Sequence, residues 1–344
     1  MIKTVVLQNK AIKIIDQTKL PERLVYKKIT TINQMVASIK KLEVRGAPAI
    51  GIAAAFSLAL WTKLYQGPEK QFKSKFFKNA DILKASRPTA VNLAWAVDRI
   101  LHIYTQNESS AFSVVKKRIV KEAIAIYEED LEMSKKIGEY GNTLIKKNDV
   151  ILTHCNAGGL ATSGLGTALA VIYEAHKKGK KIKVYADETR PLLQGARLTT
   201  WELQKEKIDV SLIADNMAAF TIKNKKINKI IVGADRIAAN GDTANKIGTY
   251  NLGILAKFHN IPLYIAAPSS TFDFSLKSGD EIPIEERQKK ELIYCGSKQI
   301  APTNMKVYNP AFDITPHNLI AGFITEKGII QKPYFRQLHK IIKS

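Results

Sequence analysis

Short apolar runs open the chain. Residues 2–7 and 11–15 run or alternate apolar around Gln8-Asn9-Lys10, and residues 25–30 repeat the pattern, which predicts a small antiparallel sheet. Helical spacing follows over residues 31–42, over a run opened by Pro48 and ending at Leu60, and over 91–104 with Thr89 as cap. A long amphipathic stretch, 111–146, closes this half. From Asp149 the rhythm changes to short apolar runs alternating with helical segments. Expected strands are 150–153, 182–186, 210–214, 230–233 and 262–267, and such alternation predicts a parallel sheet. Residues 303–330 are expected to add one strand and one helix. The predicted fold class is α/β, with a mostly helical N-terminal domain (1–146) carrying a small antiparallel sheet and a Rossmann-like parallel-sheet domain (147–344).

Every expected strand runs directly into polar residues. His154, Cys155 and Asn156 follow the first; Asp187, Glu188, Thr189 and Arg190 the second; Asp215 and Asn216 the third; Asp235 and Arg236 the fourth; Ser269, Ser270 and Thr271 the fifth. Right-handed crossovers put all these ends on one edge of the sheet, where open α/β sheets bind their ligands. The candidate site is therefore expected at that edge.

Composition narrows the class. A chain of 344 residues that is 45% hydrophobic is long enough for two cores. Its two cysteines, Cys155 and Cys295, have no zinc or disulfide spacing, which points to the reducing cytoplasm. The first residues lack the apolar core of a signal peptide. The longest uncharged run, 46–61, is rich in alanine and glycine and reads as too short to span a bilayer, so no membrane partner is expected. A formal charge of +22 fits either a lysine-rich surface or a polyanion partner. The lysines are scattered, without the interleaved aromatics that stack bases, which disfavours nucleic acid.

Cys155 stands between an apolar run and the glycine-rich loop 158–166, ahead of a helical segment. A thiol there is either an activated nucleophile or a small buried residue at a strand end. Gly159 and Gly164 have P-loop spacing, but Leu165 replaces the lysine, and Gly164-Leu-Gly166 lacks the third glycine of a dinucleotide loop. Neither ATP nor NAD is indicated, and no cofactor is expected; the helix start either accepts an anion or simply packs. Asp235 follows an apolar run, whose desolvation would favour a protonated carboxyl, or it caps and pairs locally. Asn240-Gly241-Asp242 reads as a turn, and Asn245-Lys246 as the opening of the next helix, where an amide and an ammonium suit a sugar hydroxyl and a phosphate. Arg45-Gly46-Ala47, ahead of a helix, and Arg87, ahead of Pro88, offer guanidinium groups for an anion; each alone also fits a surface ion pair. His154 either bonds within the core or tunes the adjacent thiol. With no histidine pair and no clustered carboxylates, a catalytic metal is not indicated.

Six stretches then carry a resemblance: Val44-Arg-Gly-Ala-Pro-Ala-Ile-Gly51, Ser86-Arg-Pro-Thr-Ala-Val-Asn-Leu93, His154-Cys-Asn156, Asp187-Glu-Thr-Arg-Pro-Leu-Leu-Gln-Gly-Ala-Arg-Leu198 with Trp201-Glu-Leu203, Gly233 through Tyr250, and Asn309-Pro-Ala-Phe-Asp313. In this order they resemble the methylthioribose-1-phosphate isomerase family, whose superfamily includes ribose-1,5-bisphosphate isomerase and the regulatory subunits of translation initiation factor 2B. The resemblance implies conversion of an aldose phosphate to a ketose phosphate in methionine salvage, commonly by a homodimer. It implies Cys155 and Asp235 as the catalytic pair and Arg45, Gly46, Ala47, Arg87, Gln194, Asn245 and Lys246 as substrate-binding positions. Thr200 departs from the alanine expected there, and Ala157 and Gly159 vary the loop after the cysteine. Alternatives are a related sugar, ribose 1,5-bisphosphate or 5-deoxyribose 1-phosphate, or a non-catalytic regulatory subunit.

Overall fold

The computed structural model describes residues 2–87, 90–332, 334 and 338. Its backbone divides into two compact units, residues 1–132 with 159–166, and residues 133–158 with 167–344. The change of rhythm near residue 147 marks the start of the large sheet, whereas the contacts divide the chain inside a long helix and return 159–166 to the first unit.

In the first unit, β1 (Val5–Leu7), β2 (Ile12–Ile15) and β3 (Tyr26–Ile29) form the expected antiparallel sheet, with Val5 opposite Ile14 and Ile12 opposite Ile29. Helix α1 (Ile32–Lys40) starts at Thr31, whose hydroxyl accepts from the Gln34 amide while the Gln34 side chain accepts from the Thr31 amide. This reciprocal cap satisfies amides that the helix itself leaves unpaired. Helix α2 (Ala47–Leu64) follows Gly46 and has Pro48 in its first turn. It corrects the length argument made for this run: 18 residues at a mean hydropathy of 1.4 are enough to span a bilayer, but 72% of that window is buried inside the protein. Burial, not length, marks α2 as a core helix.

Helix α3 (Glu69–Lys84) was not anticipated, because its lysines hide a sparse apolar face of Phe72, Phe76, Ala80 and Leu83. That face joins Trp61, Tyr65 and Tyr104 in a cluster of ring contacts. Helix α4 (Val91–Gln106) has Ala90 in its cap position; Thr89, expected as the cap, lies outside the described residues, as does Pro88. Helix α5 (Phe112–Asn142) contains the division between units. Residues 159–166 are tied into the first unit by Thr4 Oγ1 donating to the Gly159 carbonyl (2.7 Å), Gln17 Nε2 to the Leu160 carbonyl (2.8 Å), and Ser163 N and Oγ to Asp130 Oδ2 (2.7 and 2.5 Å).

The second unit is built on a seven-stranded sheet. Its elements are β4 (Val150–Thr153), α6 (Ala168–Lys177), β5 (Lys183–Asp187), α7 (Thr200–Lys205), β6 (Asp209–Ile213), α8 (Ala218–Lys225) and β7 (Lys229–Val232). They continue with β8 (Arg236–Ala238), β9 (Thr243–Lys246), α9 (Thr249–Phe258), β10 (Leu263–Ala266), β11 (Phe272–Asp273) and α10 (Lys290–Ile293). A small hairpin, β12 (Tyr294–Cys295) and β13 (Lys298–Gln299), precedes β14 (Phe312–Thr315), β15 (Gly322–Thr325) and β16 (Gly328–Gln331). The strand order is β16-β15-β10-β7-β4-β5-β6, parallel throughout except for β16. Isoleucine, leucine and valine fill the central strands β4, β7 and β10 on both faces, as a sheet covered on both sides requires, while the edge strands β6 and β16 are only partly buried.

Two sequence expectations are corrected here. Residues 303–330 supply the three strands β14–β16 and only a short 3₁₀ turn, His317–Leu319, rather than one strand and a helix. Asn245 and Lys246 do not open a helix: they end β9, within a second sheet of order β11-β8-β9-β14, and α9 starts only at Thr249. The strands of that sheet are short and polar, so no alternation announces them, and their pairing depends on Asp313 standing opposite Asn245, 68 positions away in the chain.

Candidate active site

Chain order along the parallel strands places the candidate site. Counting only the parallel strands from the β6 edge, the order is third, second, first, fourth, fifth and sixth, so the connections diverge between β4 and β7. Such a divergence is a switch point, and ligands of open α/β sheets bind outside the carboxyl ends of the strands there. Leu152 on β4 stands opposite Ile230 on β7, and Thr153 Oγ1 donates across to the Ile231 carbonyl at 2.8 Å. Cys155 emerges just beyond β4, and Asp235 just beyond β7. Neighbouring strands lie about 4.8 Å apart, so the backbone segments that carry the two residues leave the sheet at adjacent points of one edge. Both residues are half-buried. The loops after them touch as well, since a Cβ on Gly233 would lie 2.9 Å from that of Ala157.

The thiol is held in an unusual backbone. Cys155 has φ +58°, a left-handed conformation that places Cβ against the carbonyl and costs a non-glycine residue about 1–2 kcal/mol. Surrounding hydrogen bonds impose it. The Cys155 amide donates to Thr189 Oγ1 at 2.8 Å, and its carbonyl accepts from Thr199 Oγ1 at 2.6 Å. Asn156 is turned inward, its Nδ2 donating to Thr199 Oγ1 (3.1 Å) and to Glu202 Oε1 (2.8 Å). The first amides of α6 are partly committed, as Thr167 N and Leu169 N both donate to the Ala157 carbonyl.

His154, read from the sequence as either structural or thiol-tuning, is buried between two acceptors. Its Nδ1 lies 2.9 Å from Asp187 Oδ2, and its Nε2 lies 2.9 Å from the Ile247 carbonyl. Both nitrogens can serve acceptors only when both carry hydrogen. Burial opposes that charge, but Asp187, by hydrogen bond and by charge, together with the Ile247 carbonyl, outweighs it and holds the imidazole protonated above its ordinary range. Burial in turn raises the carboxyl of Asp187 against the pull of His154.

Asp215, beyond β6, accepts the amides of Thr189 (2.8 Å) and Arg190 (2.7 Å), one on each oxygen. Among the described residues, His154, Asp187 and Asp215 form a group whose ligand atoms lie within 4.8 Å of one another, the spacing a metal ion needs. Both His154 nitrogens and both Asp215 oxygens are already engaged by the protein, so the donor set suits a hydrogen-bonded brace better than a cation.

Gln194 ends the loop after β5 and leads into a π-helical turn, Gly195–Thr199. A Cβ on Gly195 would fall 1.7 Å from the Asp187 carbonyl oxygen, so only glycine lets the turn close on β5. Gln194 is buried, and its Oε1 has no hydrogen-bond partner among the described residues. A buried amide oxygen left open in this way is suited to a ligand. Thr200, the departure from the expected alanine, donates its hydroxyl back to the Ala196 carbonyl at 2.5 Å. On β9, Asn245 Nδ2 donates to Thr249 Oγ1 (2.9 Å), and Lys246 Nζ donates to the Ala311 carbonyl (2.8 Å) over the ring of Phe312. Asp187 and Thr189 are legible in the sequence only as polar residues beyond a strand end and within a motif, Asp313 only within a motif and Thr199 not at all; the positive φ of Cys155 and Thr189 is the signal that finds the brace, and only coordinates carry that signal.

The remaining candidates belong to the first unit. Arg45 is buried rather than a surface ion pair, and its Nε donates to Gln17 Oε1 at 3.0 Å. Gly46 has φ +92°, and a Cβ there would lie 2.5 Å from the Ala161 Cα, so glycine is needed on both counts. Ala47 is the first residue of α2, and Arg87 is half-buried just beyond α3.

A thiol and a carboxyl group beyond neighbouring strands, at the switch point of a Rossmann-like sheet, mark the candidate site of an α/β enzyme fold. Residues 43–332 match the Initiation factor 2 subunit family. The chain is 54% identical over 334 residues to methylthioribose-1-phosphate isomerase of Bacillus cereus, covering 97% of this chain and 94% of that one. To the protein of the same name from Desulforamulus reducens it is 50% identical over 338 residues, with 98% of each covered. The crystal structure of 5-methylthioribose 1-phosphate isomerase from Pyrococcus horikoshii superposes with a TM-score of 0.95 at 46% identity, over 100% of this chain and 96% of that one. A structure described as translation initiation factor eIF-2B subunit delta from A. fulgidus gives 0.90 at 45% identity, with full coverage of both. The chain belongs to the Initiation factor 2 subunit family and, within it, to the methylthioribose-1-phosphate isomerases.

Proposed function

We propose that the protein converts 5-methylthioribose 1-phosphate to 5-methylthioribulose 1-phosphate in methionine salvage, with Asp235 as proton donor and Cys155 as base or as stabiliser of the transition state. The observation that carries this reading is the register of β4 and β7, which brings the two residues off adjacent strands at one sheet edge. The chemistry needs such a pair. Phosphate on the anomeric oxygen prevents the ring from opening by loss of a hydroxyl proton, so an acid has to reach the ring oxygen while hydrogen moves from C2 to C1. Asp235 follows the apolar strand β7 and is half-buried, the placement proposed for the donor. Substrate-binding roles are proposed for Gln194, Asn245 and Lys246 in the second unit and for Arg45, Gly46, Ala47 and Arg87 in the first. A cytoplasmic homodimer is proposed with them, and light scattering of the purified protein decides the dimer.

Cys155→Ser and Asp235→Asn are each expected to lower turnover by about a hundredfold or more, the scale of a lost acid or base, with the circular dichroism spectrum unchanged. Near-normal turnover in either variant sinks the assignment. Running the reaction in deuterated water separates the routes: deuterium at C1 identifies proton transfer through an exchangeable group, the role proposed for Cys155, and unlabelled ketose identifies a hydride shift or a shielded proton.

The likeness to the eIF-2B subunit delta structure favours a second reading, a regulatory subunit without catalysis. Absence of turnover on methylthioribose 1-phosphate, ribose 1,5-bisphosphate and 5-deoxyribose 1-phosphate decides for it. Activity on one of the latter two reassigns the sugar.

A further inference from the structure

The backbone around Cys155 is fixed from both sides by threonine hydroxyls, in a manner that packing alone does not call for. Thr189 and Thr199 are completely buried. Thr189 Oγ1 accepts the Cys155 amide (2.8 Å) and donates onward to the Asp187 carbonyl (3.2 Å), while Thr199 Oγ1 donates to the Cys155 carbonyl (2.6 Å) and accepts from Asn156 Nδ2 (3.1 Å). Each hydroxyl thus uses both its hydrogen and a lone pair. Thr189 itself sits at φ +64°, a conformation that a β-branched residue rarely adopts, and its own amide is held by Asp215 Oδ1 at 2.8 Å. Thr199 closes the π-helical turn that begins beside Gln194. Strained backbone braced this closely is found at sites where an atom has to be aimed.

We propose that Thr189 and Thr199 are positioning residues for the Cys155 thiol: their hydroxyls clamp the two peptide groups flanking its Cα in the left-handed conformation and thereby fix the direction of the Cα–Cβ bond. This rests on the reading of Cys155 as a reacting group. The peptide planes on either side determine where Cβ points, so loss of either hydroxyl frees a strained residue to relax and moves the sulfur. Valine in place of threonine keeps the shape and removes only the hydrogen bonds; serine keeps the hydroxyl and removes only a methyl group.

The experiment uses the full chain carrying Thr189→Val, Thr189→Ser, Thr199→Val or Thr199→Ser. Two readouts are taken: kcat and KM on methylthioribose 1-phosphate, and the rate of iodoacetamide alkylation of Cys155 across its titration range, followed by peptide mass spectrometry with Cys295 as internal control. The valine variants are expected to lose about tenfold or more in kcat, with KM changed by no more than about threefold, as misaimed reacting groups do. Their Cys155 alkylation profile shifts while that of Cys295 does not, and the serine variants track the wild type in both readouts. Wild-type kcat and alkylation in the valine variants overturn the proposal, as does a serine variant damaged as badly as its valine counterpart, which would assign the role to the methyl group. Where a valine variant does not fold, the alanine variant removes the same hydroxyl and is read the same way. If the wild-type protein turns over no sugar phosphate, the functional reading falls, and the alkylation profile still decides the clamp.

Discussion

Gly248 lies directly against the imidazole of His154: a Cβ added to Gly248 would stand 2.8 Å from Cε1 and 3.0 Å from Nε2. The contact joins the strand that delivers Cys155 to the turn after Asn245 and Lys246. Gly248 also has φ +107°, and its amide donates to Asp313 Oδ2 at 2.7 Å at the start of α9. Gly248→Ala therefore meets both a steric and a conformational obstacle. A loss of about 2–4 kcal/mol of unfolding free energy is expected. Urea denaturation checks it, and a variant within 0.5 kcal/mol of the wild type would contradict the described packing, that margin being about the ordinary scatter of neutral substitutions.

The His154–Asp187 pair gives stability a definite pH dependence. The folded His154 titrates above its ordinary value, so its contribution is complete below about pH 6.5, the unfolded value, and is lost as pH rises through the raised folded one. Asp187, raised by burial, acts in the same direction, since the folded state again holds protons more tightly than the unfolded chain. Thermal unfolding midpoints are expected to fall on going alkaline in the wild type and to fall less in His154→Gln, in which the ring's titration is gone. Removing the partner outright, by His154→Ala, strands a buried carboxylate and is expected to cost about 3–5 kcal/mol near neutrality.

Gln194 offers a test that separates binding from folding. Because its Oε1 has no partner among the described residues, Gln194→Met removes an acceptor that they do not use. The unfolding midpoint is expected to hold or rise, while KM for the sugar phosphate increases about tenfold, the scale of one hydrogen bond to a ligand. A drop in the midpoint with unchanged KM would make the residue structural.

Asp242 ties three loops of the second unit together. It accepts the His317 amide and Nδ1 (both 2.8 Å), the Asn240 side chain (2.7 Å) and the Gly279 amide (3.1 Å). Burial raises its carboxyl, but these donors outweigh burial and hold it below the usual carboxylate range. Its stabilisation is present above about pH 3.9, the unfolded value, and is lost as pH falls through the depressed folded one. Asp242→Ala is expected to lose about 1–3 kcal/mol at neutral pH and to show a shallower acid unfolding curve than the wild type.

How much of this was readable beforehand differs between residues. The five parallel strands expected for the large sheet fall within a residue or so of the apolar runs that announced them, and β2 and β3 likewise, whereas β1 starts three residues inside its run, because a short apolar run bounded by polar residues is the local pattern of a strand. Helix α3 escaped notice because only four of its sixteen positions are buried, spread among lysines. β8, β9 and β11 escaped because each is four residues or fewer, too short for an alternation to show, so their existence depends on partners distant in sequence.

The sequence by itself determined the alternation that makes a parallel sheet, and with it the edge on which Cys155 and Asp235 both emerge, because hydrophobic periodicity and the handedness of crossovers are properties of the chain. Tertiary structure alone decided that β4 and β7 are neighbours, that Asn245 and Lys246 stand on a strand, and that His154, Asp187, Thr189 and Thr199 close around the cysteine. Those relationships are hydrogen bonds between residues 33 to 93 positions apart. No local pattern encodes such a bond, because it exists only once the sheet has brought its strand ends together.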